Sequence, residues 1–286
     1  MLGESDDVLQ REVDLLRNLH HPFIVRFIEA FIENDCFCIV TYYAEGGTLA
    51  ALIQKCEEKK VIMNRQEILL YFTQITMALD YLHSKLVVHR DLKPENIFLN
   101  AAKTILKVAD FGISKNLKKN SECSSRAIGT WSYIAPEAIP GPGRNFEMNS
   151  GPHIISRRRK LILETDNTVG SSRTKYNLEY CDLKSDLWSL GCVLYELIEL
   201  RKAFPIINEL EVVKKIAECK YAPRRTKGND DVFAIVTELL VPEAASRPST
   251  SQILIRPIIL EKVIYVTTTP LTGLFEAENH QNKRTR

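Results

Sequence analysis

His89, Arg90, Asp91, Lys93 and Asn96 fall within eight positions of one run, VVHRDLKPENIFLN, over residues 87–100. A carboxylate base, a cation two residues on and a carboxamide oxygen are the groups that phosphoryl transfer asks for. That reaction needs little covalent help; it needs positioning and charge stabilisation. In that chemistry Asp91 accepts or orients the proton of a substrate hydroxyl, and Lys93 reaches the transferring phosphate. Asn96 offers a hard oxygen to magnesium. Asp110-Phe111-Gly112 begins fourteen residues after Asn96, and Asp110 supplies a second hard oxygen. Ala135-Pro136-Glu137 begins 23 residues after Gly112. Any one tripeptide is weak evidence. Surface caps or turns explain Asp91 and Asp110 singly, but they do not explain three motifs in order at these separations.

These residues need elements to hold them. Leu9, Val13, Leu16 and Leu19 recur at helical spacing, which predicts an amphipathic helix over 6–19 that ends at His21-Pro22. FIVRFIEAF (23–31) and CFCIVTY (36–42) are β-branched and aromatic around Glu33-Asn34-Asp35, a hairpin pattern. AEGG (44–47) reads as a loop, with Thr48 capping a short helix to about Glu58. From Asn64 to Ser84 the pattern is clearest. Asn64 and Glu67 have capping-box spacing, and Ile68, Phe72, Ile75, Leu79 and Leu82 make one stripe. Short apolar bursts at 86–88, 97–99 and 105–109 suit small strands that carry functional loops. SDLWSLGCVLYELIEL (185–200) is apolar on nearly every side and predicts a buried central helix. Further helices are expected at about 208–219, 230–241 and 250–263, with Asp230 and Ser249 capping the last two. A polar tail after about 266 should fray. Between Pro140 and Glu179 the chain turns to Gly, Pro, Ser and Arg with weak periodicity and reads as an insert or long loop.

The bulk numbers fit this reading. At 286 residues the chain can bury one large core or two unequal lobes. Its net charge of +2, from 38 basic and 36 acidic residues, argues against nucleic acid or an anionic membrane as main partner. The SRRRK run reads as a solvated loop. Seven cysteines without a CxxC pair read as free intracellular thiols and core filler. No apolar run reaches membrane-spanning length, and the acidic start MLGESDDVLQ does not suit a signal peptide. A soluble, cytoplasmic protein is the expectation.

The three motifs together resemble the signature set of the eukaryotic protein-kinase family. The resemblance covers nearly the whole chain except the 140–179 segment and the tail. It implies an α+β fold with a mainly α-helical C-lobe (44–265) and an incomplete N-lobe (1–43) of helix C and two strands, then a polar tail (266–286). It implies ATP and Mg²⁺ as cofactors and protein substrates, with Asp91 and Lys93 catalytic and Asn96 and Asp110 on the metal. Glu12 matches the helix-C glutamate that pairs with the nucleotide-binding lysine. Thr41 matches the gatekeeper, Tyr42 to Ala44 the hinge that holds adenine, and Phe98 a further nucleotide contact. Leu16, Phe27, His89 and Phe111 match the residues stacked between the lobes, although core packing accounts equally well for the apolar three. Asp186 matches the acid that braces the catalytic loop, and Arg247 the partner of Glu137. Lys93 and Thr130 point to serine/threonine substrates. Ser124 and Ser125 are candidate phosphosites whose phosphate would pair with Arg90, although Arg126 stands where the family often has a phosphorylatable residue. IVTYYAEGGTL, KSDLWSLGCVLYEL and ELRKAF look like the NIMA-related kinases, which implies cytoskeletal or centrosomal settings.

Two departures qualify these expectations. The family's Gly-rich loop and nucleotide-binding lysine belong before helix C, and the sequence has neither there. Related kinases join the APE glutamate to the DxW aspartate by a short link, whereas Glu137 and Asp186 are 49 positions apart. The expectation is a kinase domain truncated at its N-terminus, with an incomplete or imperfectly spliced product behind both oddities. The alternative class is a non-catalytic, pseudokinase-like binding module.

Overall fold

The computed structural model describes residues 13–14, 16–33, 36–110, 131–139, 172–206 and 208–269. Within 13–17 the described residues are helical, and Val13, Leu16 and Leu19 turn inward, as their spacing predicts. Two strands follow, β1 (Phe27–Glu33) and β2 (Cys36–Thr41), paired antiparallel with Phe31 opposite Cys38. Residues 23–26, expected in the first strand, are not part of it. Ile24 instead makes a parallel bridge to Val108, while Val25 N–H and Val108 N–H complete the exchange at 2.9 and 2.8 Å. Those apolar residues are recruited by a different sheet.

The remainder is mainly helical. Helix α1 (Leu49–Glu58) starts where Thr48 accepts from Ala51 N–H. Helix α2 (Arg65–Ser84) starts at a full capping box: Asn64 Oδ1 accepts from Glu67 N–H at 2.9 Å, and Glu67 returns the contact at 3.3 Å. All five residues of its predicted stripe are fully buried. Next come the short strands β3 (Ile97–Leu99) and β4 (Leu106–Val108), antiparallel with Phe98 opposite Lys107. The buried Gln74 of α2 fixes them from below, donating to Thr104 O at 2.9 Å and accepting from Leu106 N–H at 2.8 Å. The burst at 86–88 is not a strand. The chain closes the end of α2 there, with Val87 N–H on Leu82 O at 2.9 Å and Leu86 at φ 57°.

Helix α3 (Ser172–Glu199) is the centre of the fold, packed on α2 and on α5 (Asp230–Leu239). It begins well before the expected residue 185, so 172–179, read as loop, belong to a helix. Gly191 allows α5 its close approach, since a Cβ there would lie 2.8 Å from that of Leu239. Helix α4 (Glu209–Ala217) lies between α3 and α5 in sequence. The cap of α5 is Asn229 at φ 55° rather than Asp230, which instead opens the first turn. The stretch 250–263 is two helices, α6 (Thr250–Leu254) and α7 (Pro257–Thr268). Pro257 cannot continue α6 but suits the first turn of α7. Helix α7 carries order to Thr268, past the expected fraying point. The α+β class and the mainly helical second part stand as expected. Among the described residues no helix is long and apolar enough to cross a membrane, and no cluster suits a metal through three His, Cys, Asp or Glu.

Candidate active site

The run 87–100 is held from below by one carboxylate. Asp186, buried in α3, accepts His89 N–H on Oδ2 and Arg90 N–H on Oδ1, both at 2.9 Å. His83, in the last turn of α2, adds Nε2 to Oδ2 at 2.9 Å. Burial alone would push this carboxyl up. The His83 hydrogen bond and charge, then His89, outweigh that and hold it below the usual carboxylate range. Arg90 sits at φ 68°, a conformation that a non-glycine residue keeps only when its surroundings impose it. Two successive amides on one carboxylate provide that imposition.

His89 is fully buried, with Nε2 3.1 Å from Ala109 O. Burial lowers its pKa, against the raising influence of Asp186, Asp91 and Asp110. Asp91 follows, 5% exposed. Lys93 Nζ lies 3.0 Å from Asp91 Oδ2, and Asn96 Nδ2 donates to the same oxygen at 3.1 Å and to Asp91 O at 2.8 Å. Asn96 opens onto β3 from a short turn, Pro94–Asn96, whose proline occupies a first-turn position. Its carbonyl accepts Ala109 N–H at 2.9 Å, which ties the residue before Asp110 to this cluster. Asp110 is exposed and sits at φ 60°. Asp91, Lys93 and Asn96 thus form one hydrogen-bonded group, with Asp110 joined to it through the backbone.

The predicted hinge lies alongside. Thr41 ends β2 and is exposed, and Tyr42 N–H donates to Arg26 O at 3.0 Å. The Arg26 guanidinium covers the Tyr42 ring at 5.3 Å. After the half-buried Ala44, Gly46 N–H reaches Leu99 O and Leu99 N–H reaches Gly47 O, both at 2.8 Å. Thr48 then bridges Phe98. This pairing brings Phe98 beside the segment that follows the hinge. Arg90 is exposed. Glu12, Ser124, Ser125, Thr130 and Phe111 lie outside the described residues.

Further out, Glu137 and Arg247 meet as a fork. Arg247 NH1 and NH2 donate to the two Glu137 oxygens at 2.7 and 2.8 Å, and the arginine is 1% exposed. Ser185 Oγ adds a bond of 3.0 Å to Glu137. Two participants escaped the sequence reading. His83 carried no signal beyond its place at a helix end. Glu196 did carry one, as an acid inside the apolar run of α3. It accepts the Tyr133 hydroxyl at 2.5 Å.

The protein kinase domain model matches residues 3–150, and the protein tyrosine and serine/threonine kinase model matches residues 174–256. The chain is 38% identical over 271 residues to the serine/threonine-protein kinase nekl-2 of Caenorhabditis elegans, covering 93% of this chain and 65% of that one. It is 33% identical over 252 residues to Nek11 of Mus musculus, covering 88% and 34%. Over 270 residues it is 33% identical to Nek2 of Homo sapiens, covering 92% and 52%. The chain spans 65% or less of these relatives' own lengths. By these matches and the motifs at its centre, the chain belongs to the protein kinase domain family, among the serine/threonine protein kinases of the NIMA-related type.

Proposed function

We propose that this domain transfers the γ-phosphoryl group of ATP to serine or threonine hydroxyls of protein substrates. The observation that carries the reading is the Asp91, Lys93 and Asn96 group on its braced loop. Asp91 takes the hydrogen bond of the incoming hydroxyl and receives its proton as the new P–O bond forms and the bond to the departing diphosphate breaks. Lys93, 3.0 Å from Asp91, neutralises the acid at rest and stands close enough to turn to a phosphate oxygen. Asn96 spends its amide hydrogens on Asp91, which leaves its oxygen for a cation. The Asp110 carboxylate is exposed on the neighbouring strand end, so the pair fits the hard oxygen donors that magnesium prefers. Bound Mg-ATP supplies the phosphoryl group and the charge that draws electrons toward the leaving oxygen. Thr41, Tyr42, Ala44 and Phe98 form the wall proposed for its base.

A second reading is the alternative class expected from the sequence, a non-catalytic, pseudokinase-like binding module. Two measurements separate the readings. Thermal shift with Mg-ATP should raise the melting temperature of the chain and not of Asp110→Ala. Radiolabel transfer to a generic protein substrate should appear with the chain and vanish with Asp91→Ala. A shift without transfer establishes a module that holds nucleotide without turnover, and the absence of both signals removes the transfer reading and leaves the binding module.

A further inference from the structure

Helix α7 is apolar on more sides than its packing uses. Of its 12 residues only Glu261 and Lys262 carry charge. Ile259 and Val266 are buried, and the helix packs on α2. Leu260, Ile264 and Tyr265 nevertheless stay 41%, 55% and 54% exposed. Leu260, Ile264 and Thr268 recur at every fourth position, so they form one stripe along the outer side. A helix that is hydrophobic nearly all round is normally covered nearly all round. The last turn extends the stripe rather than breaking it. Thr267 and Thr268 are exposed, yet their hydroxyls donate back to Val263 O at 2.8 Å and Ile264 O at 2.7 Å. Their donors are spent inside the helix.

The chain itself carries a cover of matching pattern. Thr269 leaves the helix extended, at φ −76° and ψ 125°, and Pro270 cannot resume it. Leu271, Leu274 and Phe275 follow around Gly273, and then come Glu276 and Glu278. An extended chain advances about 3.3 Å per residue and a helix about 1.5 Å. A segment that turns back at Pro270 therefore sets Leu271 beside Ile264 and Leu274 beside Leu260, each pair level to within about 3 Å. The same path carries Glu276 and Glu278 to the start of α7. Arg256, engaged there by Glu238, gives the helix no side-chain cap, and the first turn holds no acidic residue. The positive end of the helix favours an incoming carboxylate at that point.

We propose that the outer face of α7 is the docking surface for residues 271–275 of the same chain, with Glu276 and Glu278 drawn to the start of the helix. Residues 270–286 lie outside the described residues. The exposed stripe, the reach and the order of charge select this occupant, independently of any phosphoryl transfer. A second copy would have to bring the same segment from solution, whereas attachment at Thr269 presents it at a high effective concentration.

The test is methyl NOE spectroscopy on the intact chain with isotope-labelled Ile and Leu methyl groups. Cross-peaks should join Ile264 to Leu271 and Leu260 to Leu274. In an equal mixture of labelled and unlabelled chains, isotope filtering should show neither contact between copies. Leu271→Ser combined with Leu274→Ser should abolish both contacts and shift the Leu260 and Ile264 methyl resonances, while Ile75 and Leu79 in the core keep theirs. The absence of any cross-peak from Leu260 or Ile264 to residues 271–275 would overturn the proposal. So would cross-peaks found only between copies, which would make the face a contact between chains. Leu260 and Ile264 resonances unmoved by the serine variant would overturn it as well. The contacts are read in the intact chain, so the outcome does not hang on the variant folding. A chain that transfers no phosphate gives the same cross-peaks, so failure of the transfer reading is distinguishable from failure of this one.

Discussion

Tyr133 donates its hydroxyl to Glu196 Oε2 at 2.5 Å, and the acceptor is an acid buried among the apolar side chains of α3. Burial lifts the Glu196 carboxyl to about 7; the Tyr133 bond and the Lys202 charge pull it down, and Glu95 and Glu57 push it up. The pair ties the Trp131–Tyr133 turn to the central helix. Ser189 Oγ also bonds Tyr133 O at 2.9 Å, and the Lys202 ammonium lies 5.5 Å from the Tyr133 ring centroid.

A raised carboxyl gives stability a definite slope with pH. The unfolded chain releases this proton near 4.5, while the folded chain keeps it to about 7. The contribution is therefore complete below the lower value, falls as pH rises between them, and is lost above the upper one. Glu196→Gln removes the titration and keeps the shape and an acceptor for Tyr133. Urea unfolding at about pH 5 and about pH 8 should show the variant gaining on the parent by about 1–3 kcal/mol over that interval. A constant difference between the two chains across the interval would contradict the assignment.

The Glu137–Arg247 fork should matter far more than ion pairs at the surface. Arg247 also donates to Val241 O, Lys184 O and Pro242 O, so its loss strands several buried acceptors. Breaking a buried pair typically costs about 3–5 kcal/mol, against about 0–1 for an exposed one. Arg247→Ala should fall in the first range and Arg256→Ala, which removes the half-buried partner of the exposed Glu238, near the second. Chemical denaturation of both variants checks the contrast.

The legible parts of this molecule were those written in short range. Asn64 with Glu67, and the stripe from Ile68 to Leu82, specify α2 without any distant residue. Asp91, Lys93 and Asn96 likewise reach one another within six positions. Arg247 and Glu137 are 110 positions apart, and only the family resemblance paired them. Leu86 gives no sign of its positive φ, because the turn is closed by Leu82 and His83 carbonyls and by Asp186 rather than by glycine. Residues 23–26 have strand composition, but β4 claims them through single bridges. Pro257 did carry a signal for the break between α6 and α7, and the apolar pattern running through it hid the stop.

Gly46 tests how the hinge is joined to the loop beneath it. A Cβ at this position would lie 2.1 Å from Asn100 O and 2.7 Å from Leu99 O, both backbone atoms with little room to move. Gly46→Ala should therefore separate the two segments and break their 2.8 Å hydrogen bonds, costing about 1–3 kcal/mol. Gly47 has open space around it but a φ of 76°, so Gly47→Ala should cost only about 1 kcal/mol. On the proposed function, the first variant should also lose most of its Mg-ATP thermal shift, while the second keeps it.

Asn96 separates the hydrogen-bond account of the cluster from a purely steric one. Its amide gives two bonds to Asp91, one to the backbone carbonyl and one to Oδ2, at a site 8% exposed. Asn96→Ala leaves those acceptors short of a donor, a loss of about 1–3 kcal/mol. Asn96→Asp preserves the shape but sets a second carboxylate near Oδ2 of Asp91, where burial weakens screening and like charges repel. If the amide donors are what hold Asp91, the aspartate variant should be less stable than the alanine variant at neutral pH by at least about 1 kcal/mol. It should regain ground as acid neutralises one of the two groups. Urea unfolding at about pH 5 and about pH 7.5 gives both numbers. An aspartate variant as stable as the parent at the higher pH would mean that shape, not the two donated bonds, holds Asp91 in place.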